Sequence, residues 1–566
     1  MRKLFTVLVL VSALWLPLPS LQAQRKGDKT KITTPAASTA TTHGADVITA
    51  AQMRAFLTFI ASDEMEGRDT PSRGLDTVAQ FISMNLTHWG FKPAGDNGTF
   101  LQRIALRRDR IDGAQTHAEF NGQTLVVGDD YIPGTGGSAS GQLVFAGNGW
   151  FVKSKNWDPY QGIDAKGKIA VVYASPQGLP HGLRRTDLTG KQGEDWMNAA
   201  EYARKQGATG IIFVPDFQYL ASWTQNRQRT MERGTTIPEK FMTTATAALP
   251  AIVISPRVAN LLFQGSGTQA APITATTLFE GAYGSGPMPA SFALSPDKKF
   301  SLNVVVKNEI IPTQNVVAIW EGSDPLLKDE YVAVGAHYDH IGTAASGGCR
   351  PINGDTICNG ADDDGSGTTA ILAMAEAVSH ATSRPKRSVL FVWHCGEEKG
   401  LWGSRYFTDN PTVSLDRVVA QLNIDMIGRS KKAGDTNPRN QELSGPNEIY
   451  VIGSTMMSTE LGEWTLAVNK SFLNITYDLR YDDPKDPNRF FFRSDHFNYA
   501  RKGIPIIFFF DGVHEDYHQA GDSPDKIDYQ KMENITRTVY LTMWEVANHA
   551  ARPKVDKPLP AQLTAN

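Results

Sequence analysis

Tyr331-Val332-Ala333-Val334-Gly335-Ala336-His337-Tyr338-Asp339-His340 is an apolar run that breaks off into imidazoles and a carboxylate. Runs of the same β-branched or aromatic texture recur at 388–393, 418–424, 449–452 and 505–510, each predicting a strand. Helical periodicity falls between them at 367–379 and 458–469, and again at 529–549. The alternation predicts an α/β fold, a mixed but mostly parallel sheet flanked by helices on both faces. Such sheets place their sites just beyond the carboxyl ends of the strands.

Several of those ends carry metal-type residues. After His337-Tyr338-Asp339-His340 comes the loop Asn359-Gly360-Ala361-Asp362-Asp363-Asp364-Gly365-Ser366-Gly367, which opens a helix. The next strands end in Trp393-His394-Cys395-Gly396-Glu397-Glu398 and Asn423-Ile424-Asp425-Met426, and Asp516-Tyr517-His518 follows the run that closes at 510. Each fragment is weak alone, because acidic loops are usually just solvated. Their shared placement points to a cation. Repelling carboxylates need one to hold them together, and imidazole mixed with carboxylate suits zinc. Two His and three carboxylates are too many for one open tetrahedral site. One shared carboxylate gives each of two ions three protein ligands and leaves room for a bridging water. Asp364 reads as a helix cap. Ser366 lacks the full Gly-x-Ser-x-Gly setting of a serine nucleophile, since Thr368 stands where the second glycine belongs. His340, His394, His496 and His514 read as hydrogen-bonded structural residues, and Cys395 as a buried inert thiol.

Upstream, residues 48–89 show two helical patterns separated by the polar turn Ser62-Asp63-Glu64-Met65-Glu66-Gly67-Arg68. From 126 to 290 the texture changes to short β-type runs with one clear helix at 196–206, and 215–247 reads as a surface loop. No His/Asp/Glu constellation occurs there, so the stretch reads as a non-catalytic insert. The expected organisation is a leader at 1–23, a flexible lead-in at 24–45, catalytic segments at 46–125 and 291–552 around the insert at 126–290, and a tail at 553–566.

The 566 residues carry 56 Lys+Arg against 59 Asp+Glu, a formal charge of −3, which argues against a nucleic-acid binder held by phosphate contacts. At 41% hydrophobic and 9% aromatic, the chain is not globally disordered. Arg2 and Lys3 precede the apolar core 4–16, and Leu21-Gln22-Ala23 ends in a small residue suited to cleavage. That core is shorter than the about 20 residues a membrane span needs. Export to the periplasm or the medium is expected, with no stable membrane span in the mature chain. An oxidising compartment would allow Cys349 and Cys358 to pair across their short loop.

These motifs together resemble the M28 family of zinc metallopeptidases, which includes bacterial aminopeptidases. Ala61-Ser62-Asp63-Glu64-Met65-Glu66-Gly67-Arg68 is similar to the family's N-terminal signature. The stretches 360–367, Gly396-Glu397-Glu398 and 423–426 are similar to its metal motifs. The insert resembles a protease-associated domain at 162–169 and 203–208. The resemblance implies a zinc-exopeptidase fold, peptide substrates and two zinc ions. It implies His337, Asp363 and Asp425 on one ion, and Asp363, Glu398 and His518 on the other, with Asp363 bridging. Glu397 would be the general base toward a bridging water, Asp339 would orient His337, Tyr517 would polarise the scissile carbonyl and Arg493 would contact substrate. An aminopeptidase is the leading expectation. A carboxypeptidase or dipeptidase of the same family is the alternative, followed by a glutaminyl cyclase and a metal-free receptor ectodomain.

Overall fold

The computed structural model describes residues 43–176, 178–242, 248–284, 288–483 and 485–559. The expected leader, most of the lead-in and the last part of the tail lie outside the described residues.

The larger sheet contains β1 (Leu101–Ile111), β2 (Thr235–Pro238), β3 (Val306–Trp320), β4 (Tyr331–His337), β5 (Ser388–His394), β6 (Val418–Ile424), β7 (Glu448–Ile452), β8 (Thr476–Asp478) and β9 (Ile506–Phe510). Their spatial order is β2-β1-β3-β5-β4-β6-β9-β7-β8. The central β5-β4-β6-β9 run is parallel, while β3 and β7 flank it antiparallel. The registers Ala336↔Trp393, Gly335↔Asn423 and Ile424↔Phe509 end these strands at one level. The loops that follow therefore converge on one edge.

Helices cover both faces. On one side lie α1 (Ala50–Ile60), α2 (Arg73–His88), α3 (Gly365–His380), α5 (Thr459–Ser471) and α6 (Tyr529–Asn548), sharing a core with Val334, Phe391, Leu422 and Phe509. On the other, α4 (Trp402–Asp409) and the short helix His496–Ala500 pack Phe407, Tyr499 and Ala500 onto Leu390, Val392 and Phe508. α1 is closed by a capping box between Thr49 and Gln52. α3 starts against the metal-type loop, with Asp364 accepting the Gly367 N–H as its cap. A Cβ at position 367 would lie 2.5 Å from the Ile424 carbonyl oxygen, so only glycine lets the helix approach the end of β6 this closely.

A second sheet carries its own core. It runs from Gln123–Thr124 through His117–Phe120, Lys299–Val304, Gly137–Phe145, Ile169–Tyr173, Gly210–Val214 and Ala251–Ile254 to Tyr131–Pro133. It recruits strands from both sides of the 126–290 stretch. The helix expected at 196–206 is a two-residue strand, Trp196–Met197, followed by a helix at Ala199–Lys205. Asn198 provides the cap that starts the helix late. Further helices occur at Pro256–Phe263 and Ala275–Ala282, the first started by the Ser255 cap and Pro256. The expected surface loop at 215–247 instead forms the helices Phe217–Ala221 and Trp223–Gln228, a π-turn at Arg229–Arg233 and strand β2. β2 pairs with β1 by Thr236↔Arg108 and Pro238↔Leu106, a partner far upstream that local polarity does not reveal.

Candidate metal centre

His337 ends β4, and its ring is buried. Its Nε2 lies 3.4 Å from Asp363 Oδ1 and 3.6 Å from Asp425 Oδ1. Asp363 turns its other oxygen away from this group. Oδ2 lies 3.1 Å from His518 Nε2, which is also 3.1 Å from Glu398 Oε2. Ligands on one tetrahedral zinc, bound at about 2.0–2.1 Å, sit roughly 3.3 Å apart. Both groups have that spacing, and Asp363 offers one oxygen to each.

The donor set fits a pair of dications. Asp363 Oδ2 and His518 Nε2 are buried with no well-formed hydrogen bond among the described residues, a costly arrangement unless a cation satisfies them. Burial opposes a charge on His337, but the carboxylates of Asp425 and Glu397 raise its pKa well above the ordinary value. Burial likewise raises Glu397, with repulsion from Glu398 and Asp425 adding to it. Glu397 Oε2 stands 3.9 Å from His337 Nε2. It is thus at the centre without belonging to either three-ligand group.

Residues around the centre hold these side chains in place. Asp339, fully buried, accepts the Glu397 N–H at 3.1 Å, and its Oδ1 lies 3.6 Å from His337 Nδ1. The His337 Nδ1 is closer to the Asp339 carbonyl oxygen, at 3.1 Å. Asp364 is more than a cap, since its carboxylate also accepts the N–H groups of His337 and Met426 and so ties two strand ends together. Tyr517 stacks on the His518 ring, and Arg493 lies over Phe490. Both line a pocket with Asp363, Glu397 and Asp425.

His340 comes closer to the centre than the sequence indicates. Its Nδ1 is 2.8 Å from Glu398 Oε1 and 3.7 Å from Asp363 Oδ2, so with these two it forms a second possible three-donor group. The 2.8 Å contact is hydrogen-bond length and shorter than the spacing of two ligands on one ion. His340 therefore orients Glu398, and His518 has the better ligand distances. His394 and His496 are buried, and burial lowers both to about 3, so they are neutral. His394 Nε2 meets the Tyr499 hydroxyl and His496 Nε2 the Phe491 carbonyl. His514 Nε2 faces Asp362 at 3.3 Å. Cys395 is free and buried, and burial raises its pKa. Cys349 and Cys358 are disulfide-bonded.

The sequence reading missed Asp522 and the work of Arg68. The Asp522 carboxylate accepts the N–H groups of Asp362 and Asp363 at 3.0–3.1 Å, fixing the bend that presents Asp363. Nothing in the local Gly521-Asp522-Ser523 pattern marks it. Asp522→Asn should weaken zinc affinity by about 10–100-fold, as loss of a supporting partner does. Competition against a chelator measures this, and unchanged affinity would remove its positioning role. Arg68 is fully buried and donates to four carbonyls, those of Ile60, Tyr338, Asn359 and Gly360. Burial pushes it down to about 10, so it remains charged at neutral pH. It pins α1 and both metal-type loops to one point. Arg68→Met should cost about 3–5 kcal/mol by leaving buried carbonyls unpaired. The urea midpoint at fixed zinc reads this, and a change below about 1 kcal/mol contradicts it.

Over residues 315–543 the sequence matches Peptidase family M28. The matched segment begins within β3, ends within α6 and contains every residue of both three-donor groups. A probable zinc metalloprotease of Pyrenophora tritici-repentis is 27% identical over 261 residues, 42% of this chain and 58% of that protein. Leucine aminopeptidase 2 of Arthroderma otae is 25% identical over 296 residues, 47% of this chain and 52% of its own length. The chain spans about half the length of such curated relatives. Among solved structures, the aminopeptidase from Aneurinibacillus sp. strain AM-1 aligns over 92% of this chain and 98% of its own, at 16% identity and a TM-score of 0.48.

Proposed function

We propose that this chain is an exported di-zinc exopeptidase that removes N-terminal residues from peptides. The observation that carries the reading is Asp363, whose two oxygens divide between the His337–Asp425 and His518–Glu398 groups with Glu397 beside them. His337, Asp363 and Asp425 would hold one zinc, and Asp363, Glu398 and His518 the other. When bound, the ions supply Lewis acidity and bring the pKa of a bound water toward neutrality.

The protein's own groups do the rest. Glu397 accepts a proton from the attacking water and delivers it to the leaving amine. Its backbone is fixed by Asp339, so the carboxylate is aimed before substrate arrives. Burial beside Asp363 and Glu398 raises the Tyr517 pKa, which keeps the phenol protonated as a donor to the developing oxyanion. Arg493 contacts the substrate from the same wall. Met426, Phe490, Phe508, Phe510 and Val513 make the remainder of the pocket apolar and favour an apolar first side chain.

The charged start, short apolar core and Ala23 support export, and the Cys349–Cys358 bond accords with an oxidising compartment. Among the described residues, no helix is long and apolar enough to cross a membrane. The 126–290 stretch is read as a protease-associated insert, whose sheet also takes in His117–Phe120, Gln123–Thr124 and Lys299–Val304. Aminoacyl p-nitroanilides tested beside N-acetylated peptides decide the reading. Leucyl and phenylalanyl anilides should be cleaved and acetylated peptides spared, with about two zinc ions per chain. Cleavage of blocked peptides from their carboxyl end would replace this reading with a carboxypeptidase.

A further inference from the structure

A second cleft lies on the other side of the Glu397–Glu398–Lys399 segment. Its volume is about 600 Å³, within the range of ligand sites. Arg108, Arg110, Arg229, Arg233 and Lys399 line it, against the acids Asp69 and Glu232. A concentration of cations is unexpected in a chain of net charge −3.

Arg108, Arg110 and Arg233 are only partly neutralised among the described residues. Asp69 is taken up by Lys399 at 2.7 Å. Arg108 and Arg110 share the single carboxylate of Glu309, at 3.3 and 2.8 Å. Arg110 Nε is buried without a hydrogen-bond partner among the described residues. Arg233 is exposed and makes no ion pair among the described residues. Its guanidinium crosses to the segment just before Cys349, where a Cβ at Gly347 would meet Nη1. The cleft therefore has a wall on each side, and its cationic groups face the space between them.

Its position relates it to the reacting centre. Glu397 lines the apolar pocket and Lys399, two residues on, lines the cleft. The Gly396 N–H donates to Thr70 Oγ1, and Thr70 is also part of the cleft wall. With its first side chain in the apolar pocket, an extended peptide advances about 3.3 Å per residue. A chain leaving the scissile bond toward Lys399 would enter this cleft.

We propose that this cleft binds the leaving side of the peptide through its carboxylates, so the enzyme prefers substrates that are acidic a few residues past the scissile bond. The proposal rests on the aminopeptidase reading above. The carboxylates can belong to Asp or Glu side chains or to the peptide's own C-terminus, and the test separates them.

The substrates are Leu-Ala-Ala-Glu-Glu amide, Leu-Ala-Ala-Gln-Gln amide and the Gln peptide with a free carboxyl end. Leucyl p-nitroanilide, too short to enter the cleft, is the control. In the wild type, KM for the Glu amide should be about five- to tenfold below that of the Gln amide, with kcat similar and the gap closing at high salt. Arg233→Ala should abolish the gap and leave anilide hydrolysis unchanged. An advantage confined to the free-acid Gln peptide supports the cleft and assigns the carboxylate to the C-terminus. KM values within twofold across all three peptides, or a gap that survives Arg233→Ala, overturn the proposal. Should the anilide resist hydrolysis, the aminopeptidase reading fails by itself. Equilibrium binding of the fluorescein-labelled Glu and Gln peptides to wild type and Arg233→Ala then decides the cleft: Glu preference lost in the variant supports it, and equal binding overturns it.

Discussion

Asp363→Asn should cost the protein both metal positions at once. Asp363 alone contributes an oxygen to each three-donor group, Oδ1 facing His337 and Asp425, Oδ2 facing His518 and Glu398. The amide keeps the size of the side chain but has one oxygen and no charge, so it cannot bridge. Each position then keeps two protein donors where three stood, and the carboxylates left behind lose the cation that offset their repulsion. Zinc measured after dialysis against a weak chelator should fall from about two ions per chain to below one, and leucyl anilide turnover by about 10⁴-fold or more. Asp425→Asn provides the contrast. It belongs to the His337 group only, so it should vacate one position and leave the other filled. Full zinc occupancy in Asp363→Asn would remove the bridging role.

The parts of this centre that were legible in the sequence are those where strand and chemistry adjoin. The parallel strands β4, β5, β6 and β9 are buried along their length, so they stand out as apolar runs. His337, Glu397, Glu398 and Asp425 lie at or within a few residues of the ends of those runs, which marks them as candidates from the sequence alone. β3 was not legible. Its first half, Val306–Ile311, is mostly exposed and pairs with the charged half of β1, so it carries no apolar signature. α4 was missed because it is short and polar on its outer face. Asp522 is a lone acid in a loop, yet it reaches back more than a hundred residues to two backbone N–H groups. Arg68 closes the 61–68 signature, but only the fold gives it a task, the joining of α1 to two distant loops. In each of these cases the information lies in a long-range hydrogen bond or pairing, which local periodicity does not encode.

Glu397→Gln should separate catalysis from metal binding. The Glu397 side chain is nearly buried, and the substitution keeps its volume. The bond from its N–H to Asp339 comes from the backbone, so it persists. Neither three-donor group includes Glu397, and zinc content should stay near two per chain. What disappears is the carboxylate that takes the proton of the attacking water and returns it to the leaving amine, a contribution of about 10²–10⁴-fold in kcat. KM for leucyl anilide should move little, because the apolar pocket formed with Phe490 and Phe508 is unchanged. Glu398→Gln should behave in the opposite way. Its Oε2 faces His518 at 3.1 Å and its Oε1 is held by His340, so the loss should be read first in zinc content. The adjacent carboxylates thus give different failures, one in turnover at full metal and one in metal retention. If Glu397→Gln kept kcat within about threefold at full zinc, a discrepancy far short of a lost general base, the proton would have to travel by another group. Asp495, buried within electrostatic reach of His337 and raised by burial to about 7, would be the next residue to replace.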